Sequence, residues 1–93
     1  LINNDYIGRL VYSKSGRDAN RAFIIIDTID ENYVYICDGD LRTVEKPKKK
    51  KIKHLNITNI YIDEIKNKLE KKDRVSNKEI KKCLQHMNSN KEV

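Results

Sequence analysis

No apolar run in this 93-residue chain approaches the roughly 20 residues of a membrane-spanning helix, which argues against a transmembrane protein or a membrane partner. The opening Leu1-Ile2-Asn3-Asn4-Asp5 has neither the basic start nor the apolar stretch of a secretory leader, so the expected compartment is the cytoplasm. Glycine is scarce, three residues in all, and no phosphate-binding loop of the Walker or Rossmann type occurs. Two cysteines, Cys37 and Cys83, stand far apart in no CxxC or Cys/His array. They read as reduced thiols rather than a disulfide or metal site. His54 and His86 are also separate, with no local nucleophile or acidic partner to make either a general base. Asp38 and Asp40 flank Gly39, which turn chemistry explains better than a metal loop. The expectation is a non-enzymatic protein with no catalytic residues, no metal and no cofactor.

What is present is charge. Lys and Arg total 20 against 14 Asp and Glu, a net +6 on one small domain. Such an excess favours polyanionic partners, because neutralising phosphates releases condensed counterions. Hydrophobic residues are 38% of the chain and charged residues 37%. The apolar ones are bunched enough to form one small core.

The first 58 or so residues read as β structure. Residues 7–13 are apolar and strand-forming, and a polar loop follows through Asn20. Phe23-Ile24-Ile25-Ile26 is a continuous run suited to a strand buried on both faces. Tyr33-Val34-Tyr35-Ile36-Cys37 alternates at the strand period, which sends Val34 and Ile36 to the core and the two tyrosines outward. Asp38-Gly39 is a hairpin signal, so Leu41-Arg42-Thr43-Val44 is expected to return as a fourth strand. His54-Leu55-Asn56-Ile57 reads as a fifth. Short strands joined by tight turns suggest a closed or nearly closed barrel.

From about residue 60 the period becomes helical. Ile62, Ile65 and Leu69 form one stripe, predicting a helix near 61–72. Ser76-Asn77-Lys78-Glu79 fits a capping box, with Val75 and Ile80 as its hydrophobic staple. That predicts a second helix near 77–87 with Ile80, Leu84 and Met87 on one face, fraying from Asn88 onward.

Two segments carry the binding signal. Lys46-Pro47-Lys48-Lys49-Lys50-Lys51-Ile52-Lys53-His54 places six lysines in nine residues. Held inside a domain, such a loop can lie along a phosphate backbone. The loop Ser13-Lys14-Ser15-Gly16-Arg17-Asp18-Ala19-Asn20-Arg21 sets cations and hydroxyls around a flexible glycine. Tyr6, Tyr12, Tyr33, Tyr35 and Tyr61 can stack on unpaired bases, though half-buried barrel positions account for most of them. For Tyr33 and Tyr35, helix packing competes with RNA as the explanation.

Tyr6-Ile7-Gly8-Arg9-Leu10-Val11-Tyr12, the basic turn around Gly16, and the strand Phe23-Ile24-Ile25-Ile26 together resemble the KOW motif. Gly16 stands where that family has its invariant glycine. The continuation from Asp38-Gly39-Asp40-Leu41-Arg42 through the lysine run to His54-Leu55 is similar to short bacterial KOW proteins. Those are related to the archaeal and eukaryotic large-subunit ribosomal proteins of the L-fourteen-e type. The resemblance implies a five-stranded SH3-like barrel over residues 1–58 and a two-helix extension over 59–93, packed on or beside it. It also implies RNA binding, with ribosomal RNA and ribosomal proteins as partners. Carried over, the RNA-binding candidates are Ser13, Lys14, Gly16, Arg17 and Arg21, then Arg42, Lys46, Lys48, Lys49, Lys50, Lys51, Lys53 and His54. Many relatives have a second glycine where this chain has Asn20; Asn tolerates a left-handed turn, so the loop shape is expected to persist. The alternative function is a protein-interaction adaptor in translation or transcription.

Overall fold

The β-branched run at Phe23-Ile24-Ile25 becomes the middle of the molecule. In the computed structural model, which describes residues 4–14 and 16–91, it lies in β2 (Ala22–Thr28). The other strands are β1 (Arg9–Ser13), β3 (Tyr33–Cys37), β4 (Lys48–Lys51) and β5 (Leu55–Tyr61). They form one antiparallel sheet in the order β4-β3-β2-β1-β5. Both faces of β2 are covered, as an unbroken apolar run requires. Phe23 and Ile25 pack with Val11, Val34, Ile36 and Leu55 on one face. Ile24 joins Leu10, Cys37, Ile62, Ile65, Val75, Ile80 and Leu84 on the other.

The first face is covered by the sheet's own curvature. Four strand spacings of about 4.8 Å would set edge strands β4 and β5 roughly 19 Å apart in a flat sheet. The chain crosses from Lys51 to Leu55 through a single 3-10 turn, Ile52–His54. Four residue steps reach at most about 14 Å, so the sheet must curl. Register shifts between Arg9 and Val11 and between Ile25 and Asp27 help it bend. The curl stops short of closure. Among the described residues β4 pairs only with β3 and β5 only with β1, so the expected closed barrel is an open, curled sheet. An edge made of four lysines resists a further strand.

The fourth strand is not where the hairpin signal puts it. Oδ1 of Asp38 accepts the N–H groups of Asp40 and Arg42, each at 2.9 Å. The N–H groups of Asp38 and Gly39 donate to the Arg42 carbonyl at 2.9 and 3.1 Å. The result is a loop tied to the Asp38 carboxylate, and residues 41–44 do not pair as a strand. They run past the second helix instead: the Val44 N–H donates to Asn77 Oδ1 at 2.7 Å, and Asn77 Nδ2 to Glu45 Oε1 at 2.8 Å. The lysine run, read from sequence as a loop, takes the fourth strand's place.

The helices are α1 (Asp63–Glu70) and α2 (Asn77–Lys91). The second continues past the expected fraying point at Asn88; Glu92 and Val93 lie outside the described residues. The capping box forms: the Glu79 N–H donates to Ser76 Oγ at 3.2 Å, and the Ser76 N–H to Glu79 Oε2 at 2.9 Å. Val75 and Ile80 are both buried in the same core cluster, which completes the staple. Replacing Ser76 with Ala removes the cap and is expected to cost about 1 kcal/mol in denaturant unfolding, with faster hydrogen exchange in the first turns of α2.

Glu79 also accepts a hydrogen bond from Lys68 of α1, tying the two helices. That bond first, and the Ser76 N–H second, hold its carboxyl from the ordinary 4.5 down to about 2. Because the folded value lies below the unfolded one, the contribution is full above pH 4.5 and is lost as the pH falls through about 2. Melting temperatures recorded across that window should fall more steeply for the wild type than for Glu79→Gln, whose amide does not titrate.

Candidate nucleic-acid interface

Strand pairing builds the first basic loop from below. Ser13 is fully buried; its N–H donates to the Arg21 carbonyl at 3.1 Å and its carbonyl accepts the Asn20 N–H at 2.8 Å. These bonds close the loop at its neck. Asn20 has φ 69°, the left-handed turn its side chain tolerates, and Gly16 has φ 79°. A 3-10 turn, Gly16–Asp18, forms the crown. Apart from its chain neighbours, no atom of the described residues lies within 4 Å of the place a Cβ at Gly16 would occupy, so the crown is open to a ligand backbone. Ser15 lies outside the described residues. Ser13 therefore supports the loop, and the exposed cations Lys14 and Arg17 are what it presents.

The curl then joins the two basic segments. The Lys14 N–H donates to the His54 carbonyl at 2.9 Å, and Lys14 Nζ to the Lys53 carbonyl at 3.3 Å. From there the lysine strand leads away along the sheet edge. Opposite residues of antiparallel strands share a face. Lys48 and Lys50 pair with Ile36 and Val34, while Lys49 and Lys51 pair with Tyr35 and Tyr33. The four lysines thus divide into two pairs on opposite faces. Lys49 Nζ lies 4.6 Å and Lys51 Nζ 5.7 Å from the centre of the Tyr33 ring. Lys46, exposed, is held by its N–H on Thr43 Oγ1 at 3.1 Å. No carboxylate occurs between Glu45 and Asp63, so this stretch of surface is uniformly positive in its own sequence.

Arg21 and Arg42 sit elsewhere. Arg21 forms an ion pair with Asp38 at 3.0 Å; the same carboxylate holds the Arg42 N–H. Both belong to the side of the sheet facing α2. Sequence reading also missed a second cationic group. Arg9 and Lys66 lie 4.7 and 4.1 Å from the Tyr61 ring centre, and Arg9 also hydrogen-bonds the Tyr61 hydroxyl. Only the pairing of Arg9 with Tyr61 across β1 and β5 brings these together, and no local spacing announces it.

Cys37 and Cys83 are free thiols. Burial foremost, with Asp38 next, pushes Cys37 up to about 12, which keeps it protonated and inert. Among the described residues no three His, Cys, Asp or Glu side chains gather as a metal site, and no helix is long and apolar enough to cross a membrane.

Fold and charge together define a small basic domain: a curled antiparallel sheet, two helices on one face, and cations gathered at one edge and the loop beside it. No family model matches the chain, but individual relatives do. It is 42% identical over 52 residues to large ribosomal subunit protein eL14 of Desulfurococcus amylolyticus, covering 56% of this chain and 54% of that protein. It is 37% identical over 57 residues to eL14 of Staphylothermus marinus, covering 61% and 59%. Over 79 residues it is 30% identical to eL14 of Pyrobaculum calidifontis, covering 85% of this chain and 70% of the relative. The chain belongs to the eL14 family of large ribosomal subunit proteins. It spans little more than half the length of the first two relatives. These relatives are archaeal, which corrects the expected kinship with a bacterial group.

Proposed function

We propose that this chain is a non-enzymatic RNA-binding protein of the large ribosomal subunit, working in the cytoplasm on structured ribosomal RNA beside neighbouring ribosomal proteins. The observation that carries the reading is the bond from Lys14 to the His54 carbonyl, which makes one basic surface from two distant segments. Lys14, Arg17, Lys46, Lys48, Lys49, Lys50, Lys51, Lys53 and His54 supply contacts to phosphates, which position RNA without reading its sequence. Gly16 lets the RNA backbone approach the loop crown. Arg21 and Arg42 act at its border, where Arg21 keeps guanidinium donors beyond the one on Asp38. The family membership supports the ribosomal assignment, and the curled sheet with its 3-10 turn supports kinship with SH3-like KOW domains, in an open form.

The test is a salt titration of affinity for fragments of large-subunit ribosomal RNA. For roughly four to six phosphate contacts, affinity falls about 50- to 1,000-fold between about 50 and 200 mM salt. Binding that ignores salt would favour the adaptor function, and no binding would refute the proposal.

A further inference from the structure

Tyr33 and Tyr35 point away from the core that their neighbours Val34 and Ile36 fill. Their place on the sheet leaves two explanations: covering by the helices, or contact with a partner. The helices lie on the same face but cover β1, β2 and only the Cys37 end of β3. Among the described residues neither tyrosine packs on either core cluster, whereas Tyr12, on β1, packs on the helix-bearing one. The two rings are half-buried. Their nearest cross-strand neighbours are Lys51 and Lys49 on one side, and Asp27 stands opposite Tyr35 on the other.

We infer that Tyr33 and Tyr35 form a stacking platform for unpaired bases of a single-stranded RNA segment, with Lys49 and Lys51 holding the phosphates of that segment. The inference rests on the RNA-binding reading above and adds a base-contacting site to its phosphate-contacting one. Two residues apart on one strand, their Cα atoms lie about 6.7 Å from each other, enough to hold one base on each ring. Aromatic rings on an exposed sheet beside cations are the arrangement by which proteins grip single strands regardless of sequence. In the free protein Lys49 and Lys51 rest over the Tyr33 ring. Such a contact is weak at an exposed site, and the flexible stems exchange it for phosphate when RNA arrives, uncovering the ring. Asp27 sets the polarity. A carboxylate repels phosphates and accepts hydrogen bonds from base amino groups, so the RNA backbone runs over β4 and the bases point towards β2.

The experiment uses a short single-stranded RNA carrying one 2-aminopurine, titrated with the full chain, its double variant Tyr33→Leu/Tyr35→Leu, and the ring-preserving Tyr33→Phe/Tyr35→Phe. Wild type should quench the probe on binding, and quenching should vanish when the strand is annealed to its complement. The Leu variant should bind more weakly by about 30-fold or more at every salt concentration, with an unchanged slope of log affinity on log salt. The Phe variant should bind like wild type. A folded Leu variant with full affinity and full quenching would overturn the platform. So would a loss accompanied by a flatter salt slope, which would reduce the effect to displaced lysines. If the Leu variant does not fold, the wild-type comparison decides: equal quenching of single- and double-stranded probe refutes stacking. A dimer of wild type that is lost in the Leu variant, at unchanged RNA affinity, would assign the face to a second copy. Absence of any RNA binding by wild type would remove the RNA-binding reading itself, and the platform with it.

Discussion

Replacing Lys48, Lys49, Lys50 and Lys51 with Ala should leave a folded protein whose affinity for ribosomal RNA falls by one to three orders of magnitude. Each lysine–phosphate contact contributes about 0.7–0.9 to the slope of log affinity on log salt, or about fivefold in affinity at 0.1 M salt. If two of the lysines hold phosphates, affinity falls about 25-fold, and if all four do, about 600-fold. The strand geometry makes the expectation sharper than a charge count does. Lys49 and Lys51 share the face of Tyr33 and Tyr35, and Lys48 and Lys50 share the face of Val34 and Ile36. Replacing the pairs separately should therefore give unequal losses, with the larger at Lys49 and Lys51 if the tyrosine face holds RNA. The loss should be uniform across RNA sequences, because lysines on phosphates carry no base information. Folding is preserved because β4 is an edge strand held to β3 by backbone pairing, and removing mutual repulsion among its ammoniums offsets the weaker packing of the shortened side chains. Filter binding at several salt concentrations, with thermal melts in parallel, reads both quantities.

A large stability loss is expected at a glycine that the chain's hairpin signal disguises. Gly39 has φ 79°, and a Cβ placed there would lie 2.3 Å from the Asn77 carbonyl oxygen and 3.0 Å from the Lys81 nitrogen. Those atoms are backbone of the first turns of α2. They cannot retreat easily, because the Asn77 side chain is bonded to both Val44 and Glu45. Gly39→Ala therefore combines overpacking with a strained backbone, each in the range of about 1 to 3 kcal/mol, for a total of about 2 to 6 kcal/mol. In a domain of this size that lowers the melting temperature by about 8 °C or more. Gly16→Ala is the contrast. Its φ is also 79° but its surroundings are open, so only the backbone strain of about 1 kcal/mol remains. Equal melting temperatures for the two variants would contradict a 38–45 loop that grips α2 through Gly39.

The same glycine explains what the sequence could not disclose. Asp38-Gly39 is a fair signal of a tight reversal, but a two-residue pattern does not say whether a strand or a helix waits on the other side. Asn77, nearly forty positions later, decides that: its side chain takes the Val44 N–H that a returning strand would have needed. The lysine run was illegible as a strand for a different reason. Four identical residues have no alternation, so periodicity is silent, and only the amphipathic partner Tyr33–Cys37 recruits them into the sheet. Features written in local order came through intact. The buried run at Phe23-Ile24-Ile25, the outward tyrosines, the change of period near residue 60 and the reciprocal bonds of Ser76 and Glu79 all follow from neighbours within a few positions. Closure of the sheet did not, because it depends on how far a curl proceeds. At the proposed binding surface the charges were legible, and their union was not. Lys14 meets His54 only because β5 pairs with β1, and Arg21 is drawn to Asp38 at the border through a contact that no spacing predicts.

Ultraviolet crosslinking in cells, with the attached RNA sequenced and the attached residues located by mass spectrometry, tests the RNA-binding surface most directly. The expected result is enrichment of large-subunit ribosomal RNA, with crosslinks on the first loop around Lys14 and Arg17, on the lysine strand through His54, and on Tyr33 or Tyr35. Recovery of no ribosomal RNA, or crosslinks confined to α1 and α2, would contradict it.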